Sequence, residues 1–359
     1  MNFSEVVVIG GGPAGLCAAT AAAESGATVT IFDRNKKLGG QLLKQTHRFF
    51  GSQKEFAGKR GISIAELLEE NIKSGLITVK TDTTVLGIYS DKVITYLQGS
   101  HYDKITAEKI IVATGASEKM LLFEKNDLPG VYGAGAVQTL MNQYGVTPGQ
   151  HVLMVGGGNI GLIVSYQLLQ AGVDVVAVID AAPYIGGYLV HASKIRRLGV
   201  PIYTSTTIKK ALGEECVEGA ILAEVDTHFQ PIEGTERKVE VDTICLAVGL
   251  NPLNELLVNL DVKKRFVPEL GGFIPIRNEF METSIAGVYV AGDVAGVEEA
   301  TAAMLEGSVA GASAALAMGF LKTDAERKRE EALTQLRKLR AGNTAEKIRK
   351  GLELVVSEV

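Results

Sequence analysis

Val6-Val7-Val8-Ile9-Gly10-Gly11-Gly12-Pro13-Ala14-Gly15 carries an apolar run straight into a glycine-rich turn, and Val152-Leu153-Met154-Val155-Gly156-Gly157-Gly158-Asn159-Ile160-Gly161 repeats the arrangement further along the chain. Each stretch fits a strand that passes through G-x-G-x-x-G into a helix. The first glycine admits a tight turn, the second lets backbone approach a pyrophosphate, and the third lets helix and strand pack closely. The phosphates then face the N–H groups of the helix N-terminus. Asp33 ends the next apolar run, 18 residues after Gly15, and Asp180 does the same 19 residues after Gly161. An acid at that distance supplies an acceptor for ribose hydroxyls. The pattern predicts two dinucleotide sites in one chain.

Working outward, strand, glycine turn, Ala-rich helix (Ala14 to Ser25) and a second strand predict an α/β chain built on parallel doubly wound sheets. A charged helical segment from Ser63 to Ser74 follows. Alternating runs at Ile77–Thr81 and Val93–Leu97 then read as a small antiparallel β meander before Lys109-Ile110-Ile111-Val112-Ala113-Thr114-Gly115. The second glycine turn starts the same series again and closes on Asp242 to Gly249, after which the sequence returns to Val288-Tyr289-Val290-Ala291-Gly292-Asp293. This is an internal duplication, with one Rossmann-like nucleotide-binding domain (117–249) inserted in another (1–116 and 250–321), each with its own meander. A charged amphipathic helical tail (322–359) follows, with Leu333, Leu336 and Leu339 on one face and a second apolar end at Leu352, Leu354, Val355 and Val356. That face seeks a surface, the chain's own or a sister subunit's, and docking on another subunit, identical or not, is the expectation.

A length of 359 residues and 46% apolar content allow two or three domains with buried cores, and a net charge of −5 gives no electrostatic case for nucleic acid or an anionic membrane. Cys17, Cys216 and Cys245 form no C-x-x-C pair, which argues against a disulfide framework, a zinc site or a cysteine-held iron–sulfur cluster. No metal is expected, since His101, His151, His191 and His228 lack ligand spacing. With no basic-then-apolar leader, the expected location is the cytoplasm. Ala300 to Phe320 has the length of a membrane span, but Glu306 and three glycines inside it predict a helix buried in protein.

These residues resemble the two-dinucleotide-binding-domain flavoproteins, the pyridine nucleotide-disulfide oxidoreductase class, over residues 1 to about 320. The resemblance implies that Gly10, Gly12, Pro13, Ala14, Gly15, Asp33 and Arg34 hold the adenosine half of FAD. It further implies that Gly40, Gln41, Thr114 and Gly115 border the cofactor, that Gly292 and Asp293 meet the ribityl chain, and that Glu299, Ala300 and Thr301 aim a helix N-terminus at the flavin. NAD(H), in preference to NADP, would lie on Gly156, Gly158, Asn159, Ile160, Gly161, Asp180 and Gly249, because Asp180 accepts from a 2′-hydroxyl and repels a 2′-phosphate. A closer similarity is to the FAD/NAD-binding subunits of the sarcosine oxidase alpha, opine oxidase, hydrogen cyanide synthase and dye-linked proline dehydrogenase type. It rests on Ala113-Thr114-Gly115-Ala116, Leu128-Pro129-Gly130-Val131, Gln138-Thr139-Leu140 and Gly271-Gly272-Phe273-Ile274-Pro275. The redox cysteines of the class are missing: none follows the second strand, and Gly133-Ala134-Gly135-Ala136 stands where a C-x-x-C would be. Disulfide reduction is therefore not expected.

The implied chemistry is hydride exchange between NAD(H) and flavin, in either direction, with a small-molecule substrate of amino-acid or amine type or an electron acceptor completing the reaction. Gln41, Lys44 and His47 are the candidate catalytic residues. Gln41 can hydrogen-bond flavin, Lys44 can offset its charge when reduced, and His47 can move a proton; a loop amide, a solvated lysine and a surface histidine are the plain alternatives. Glu306 is either a buried partner or a site residue. The whole could be an enzyme in its own right, as a homo-oligomer, or a cofactor-carrying electron-transfer subunit bound to a dehydrogenase partner.

Overall fold

Val6, Val7 and Val8 are fully shielded from solvent, as a strand covered by helices on both faces must be. In the computed structural model, which describes residues 2–50, 53–72, 75–320, 322–342 and 345–357, the chain alternates strands and helices. The helices are α1 (Pro13–Glu24), α2 (Gly61–Asn71), α3 (Ala134–Tyr144), α4 (Asn159–Gln170), α5 (Leu189–Arg197), α6 (Glu255–Val258), α7 (Ala300–Ala317), α8 (Lys322–Leu339) and α9 (Glu346–Leu352). They belong to two Rossmann-like units. One comprises residues 1–43, 48–117 and 250–359, the other 44–47 and 118–249.

The first unit is built on a seven-stranded sheet. Ile77–Lys80, Val29–Phe32, Asn2–Ile9, His101–Val112 and Val288–Val290 run parallel in that order. His101–Val112 also pairs antiparallel with Val93–Gln98, which pairs with Thr83–Ile88. Ile77–Lys80 therefore departs from expectation. It is the parallel edge strand, not a meander strand, and none of its four residues is buried, as suits an edge. The charged segment is α2, ending at Asn71; Ser74 lies outside the described residues.

Helices α1 and α7 explain the Ala- and Gly-rich composition around both. A Cβ on Gly307 would strike the backbone carbonyl of Ala14, and one on Gly311 that of Ala18. Pairs four residues apart on each helix, Ala14 and Ala18 facing Gly307 and Gly311, form stripes of the smallest residues, so the two backbones approach closely. Among the described residues no helix is long and apolar enough to cross a membrane; α7 is buried by protein.

The tail differs from expectation too. Leu333 and Leu336 are buried, Leu333 within the first unit's main core, and Leu352 and Val355 pack with Val267, Leu270 and Ile274. Each such leucine contributes about 1.5–3 kcal/mol. An amphipathic helix needs an apolar surface, and here the chain's own unit covers Leu333 and Leu336, while Leu354 stays exposed.

In the second unit, Ile202–Tyr203, Asp174–Ile179, His151–Val155, Thr243–Leu246 and Val131–Gly133 form a five-stranded parallel sheet. A separate antiparallel meander comprises Thr206–Leu212, Gly219–Glu224 and Arg237–Val239.

Candidate functional site

The two glycine turns are near copies. Gly10 and Gly156 have φ of +107° and +116°, which L side chains rarely adopt. Their N–H groups donate to Phe32 O at 2.8 Å and Ile179 O at 2.7 Å. A Cβ on Gly15 would collide with Gly10 O, and one on Gly161 with Gly156 O, so the third glycine of each motif lets the helix seat on its own turn. Over the second glycine the space is open: a Cβ on Gly158 meets nothing within 4 Å, and one on Gly12 only Gly40 Cα, at 3.9 Å. No side chain caps α1 or α4. Approachable backbone before an uncapped helix N-terminus fits a pyrophosphate.

The acids close each turn. Asp33 accepts from Gly11 N–H at 2.7 Å and from Asn35 N–H at 2.7 Å. Asp180 accepts from Gly157 N–H at 2.7 Å and Ala182 N–H at 2.8 Å. The duplication also extends beyond the acids, which the glycine motifs alone do not reveal: Gly39 N–H donates to Gly11 O at 2.7 Å, and Gly187 N–H to Gly157 O at 3.0 Å. Its signal is a Gly-Gly pair at matching distances after each acid, Gly39-Gly40 and Gly186-Gly187. Asn159 accepts from Tyr188 N–H at 2.8 Å, while Ile160 and Arg34 are exposed. Thr114 donates to Leu253 O at 2.6 Å, and Gly115 and Gly249 turn the chain with positive φ.

The remaining candidates divide between the units. Gln41 is exposed on a 3-10 turn of the first unit. Lys44 belongs to the second, where its ammonium donates to Gly135 O at 3.0 Å; burial lowers its pKa, opposed by Glu118. Glu118 accepts from Gly135 and Ala136 N–H at the start of α3. A Cβ on Gly133 or Gly135 would press into the Glu118 carboxylate, so a carboxylate and a lysine fill the space beside Gly133-Ala134-Gly135-Ala136. Thr46 accepts from Gln167 at 2.7 Å, and Gln167 from the buried Gln138 at 2.9 Å. Burial, then His191 and Lys194, push His47 down to about 4, leaving it neutral near pH 7. Cys17, Cys216 and Cys245 are free; burial pushes Cys17 up to about 12 and Cys245 higher still.

Around Asp293 the first unit gathers charge. Glu306, 2% exposed, accepts from Gly292 N–H at 3.0 Å, from Arg277 at 2.9 Å and from Arg340 at 2.7 Å. Arg340, just past α8, also forks onto Glu298. Glu306 is thus a buried partner, and Arg277, carried by no motif, is a residue that sequence reading misses. Two guanidinium groups balance Glu298 and Glu306, and Asp293 is the odd charge. Burial, with Glu306 and Glu298 nearby, pushes it up to about 7 despite a hydrogen bond from Glu298 N–H. Ala300 and Thr301 form the first turn of α7, after Glu299.

A family model described as pyridine nucleotide-disulphide oxidoreductase matches residues 4–307. The chain is 29% identical to the sarcosine oxidase alpha subunit of Corynebacterium sp. (strain P-1), covering 88% of this chain and 33% of that one. It is 28% identical to an opine oxidase subunit of Agrobacterium tumefaciens (strain Ach5), covering 88% and 66%. It therefore spans a third of the first relative's length and just under two thirds of the second's. Among solved structures, thioredoxin reductase from T. acidophilum superposes with a TM-score of 0.73 at 22% identity, covering 91% of this chain and all of that one. L-proline dehydrogenase from P. horikoshii gives 0.71 at 24%, covering 92% and 59%. These two likenesses establish the fold. With a matching family model over most of its length and both glycine turns formed, the chain belongs to the pyridine nucleotide-disulphide oxidoreductase family, whose members are FAD-dependent oxidoreductases.

Proposed function

We propose that the chain holds FAD on the first glycine turn and NAD(H) on the second, and exchanges a hydride between them. The observation that carries this reading is the duplication itself: two turns, each with an open second glycine, an uncapped helix and an acid bound back to the turn. Gly10, Gly12, Pro13, Ala14, Gly15 and Asp33 would receive the FAD pyrophosphate and adenosine, and Gly292 and Asp293 its ribityl chain, with Ala300 and Thr301 directing N–H groups at the ring. When bound, FAD supplies two-electron chemistry with a nicotinamide. Asp180 would accept from the ribose 2′-hydroxyl and favour NAD(H), although Arg196 and Arg197 lie exposed on α5. Gln41, exposed on its turn, would hydrogen-bond the flavin, and the neutral His47 would accept a proton. The three cysteines offer no thiol pair, so electrons would pass to or from a substrate of amino-acid or amine type, or an acceptor, and not a disulfide. Anaerobic stopped-flow tests this: the purified protein should be yellow and bleach with NADH. A protein that gains no flavin spectrum on adding FAD refutes the first site, and a flavoprotein that NADH does not bleach refutes the second.

A second reading follows from the names of the relatives, which are subunits longer than this chain. On that reading the chain is a cofactor-carrying component, turning over substrate only with a dehydrogenase partner. Purification from its native host, followed by identification of co-eluting chains and substrate assays with and without them, separates it from a self-sufficient homo-oligomer.

A further inference from the structure

The tail reaches the Asp293 turn with a charged group. Strand Val288–Val290 leads through Ala291 into a 3-10 turn that starts at Gly292, whose N–H is held by Glu306 of α7, and the segment before α7 carries Glu298. Arg340 spans the two: it forks onto Glu298 and donates to Glu306, with 13% of its side chain exposed. Arg277 touches Glu306 from another side, and its own backbone pairs with Val355 and Ser357, so the last described residues of the tail fasten it. A cation supplied by the tail thus sets the separation between the Gly292–Asp293 turn and the start of α7. Of the four charged groups about Asp293, Arg340 is the one whose removal leaves Glu298 without its fork while Glu306 keeps Arg277.

We propose that Arg340 is a positioning residue for the flavin, holding the Gly292–Asp293 turn and the first turn of α7 in the arrangement that receives the ribityl chain. This rests on the FAD reading of the first glycine turn. Without Arg340, two carboxylates and Asp293 share a poorly solvated space with only Arg277 opposite them. Repulsion then spreads the turn and opposes the anionic cofactor. Burial holds the carboxyls of Asp293 and Glu298 above their ordinary values, so protonation of these two relieves that repulsion and the defect shrinks with acid; Glu306 and the cation Arg277 are the other charged groups that face them.

The test titrates FAD into apoprotein by flavin fluorescence at pH 6 and pH 8, for wild type, Arg340→Ala, Arg340→Lys and Arg340→Ala with Glu298→Gln. Arg340→Ala should raise the FAD Kd about tenfold at pH 8 and less at pH 6. Arg340→Lys should recover part of the loss, and the double variant most of it, because the carboxylate that needed the fork is gone. If Arg340→Ala does not fold, the double variant is compared with Glu298→Gln alone; equal FAD affinity and pH profile support the proposal, and a defect that persists overturns it. A loss equal at both pH values and not restored by Glu298→Gln marks a merely structural tail and overturns the assignment, as does wild-type affinity in Arg340→Ala. A wild type that binds no FAD overturns the parent reading, and this one with it, and that result is visible in the first curve.

Discussion

The two glycine turns share their backbone hydrogen bonds almost pair for pair, yet their surroundings differ. Around the first, Asp33 is buried, α7 lies backbone to backbone on α1, and a charge cluster underpins the Asp293 turn. Around the second, Asp180 is half-buried and α5 begins with exposed Leu189 and Val190. The same local sequence can therefore sit in a closed or an open setting, and what closes the first is contributed by residues some 300 positions away in the chain. We expect the closed setting to retain its ligand and the open one to exchange it.

The sharpest way to break this contrast is to substitute a glycine on each side. Gly307→Val drives a branched side chain into the Ala14 carbonyl and should cost about 3 kcal/mol, with loss of bound FAD. Gly158→Ala meets nothing, should change unfolding by less than about 1 kcal/mol, and should weaken NADH binding. Denaturant unfolding with a flavin readout checks both; equal destabilisation would dissolve the distinction.

Next in size is Asp293→Ala, expected to weaken FAD retention about tenfold or more while leaving nucleotide binding at the second turn intact. Equilibrium dialysis against apoprotein measures it, and unchanged retention would remove Asp293 from the ribityl site. Asp180→Ala should act on the other turn alone, narrowing the NADH-over-NADPH preference in bleaching rate about tenfold. A wild type that prefers NADPH would reverse the assignment.

The turns and both sheets were legible because each rests on local pattern: apolar runs, glycine offsets, an acid at the strand end. Ile77–Lys80 was misread because a short edge strand alternates in the same way whether its neighbour runs parallel or antiparallel. The Leu333 face was readable as a face, but the sequence does not say which surface covers it. Arg277 and Arg340 carry no motif, and only the packing of α7 and the tail brings them to Glu306. Gln41 and Lys44 share the Gly40–Lys44 3-10 turn, and their spacing does not reveal that Gly135, Thr46–Gln167 and Asn142 contacts assign Lys44 and the segment up to His47 to the second unit.

The response to pH has opposite sign in the two units. Asp293, in the first, is raised from 3.8 to about 7 by burial and by Glu306 and Glu298. Its folded form holds a proton that the unfolded chain releases, so its contribution to stability is full below pH 3.8 and fades as pH rises through about 7. His47, in the second unit, is lowered from 6.5 to about 4 by burial, His191 and Lys194. Here the unfolded chain holds the extra proton, so stability is full above pH 6.5 and is lost as pH falls through about 4. Moving apoprotein from pH 7.5 to pH 5 should therefore favour the first unit relative to the second. Hydrogen exchange of core amides on Asn2–Ile9 and His151–Val155, followed across that range, reads each unit separately. Asp293→Asn should flatten the first response and His47→Gln the second, each leaving the other in place. Were both units to shift together in the wild type and in both variants, the pH response would belong to charges spread over the whole surface, and the contrast between the two settings would not extend to their protonation.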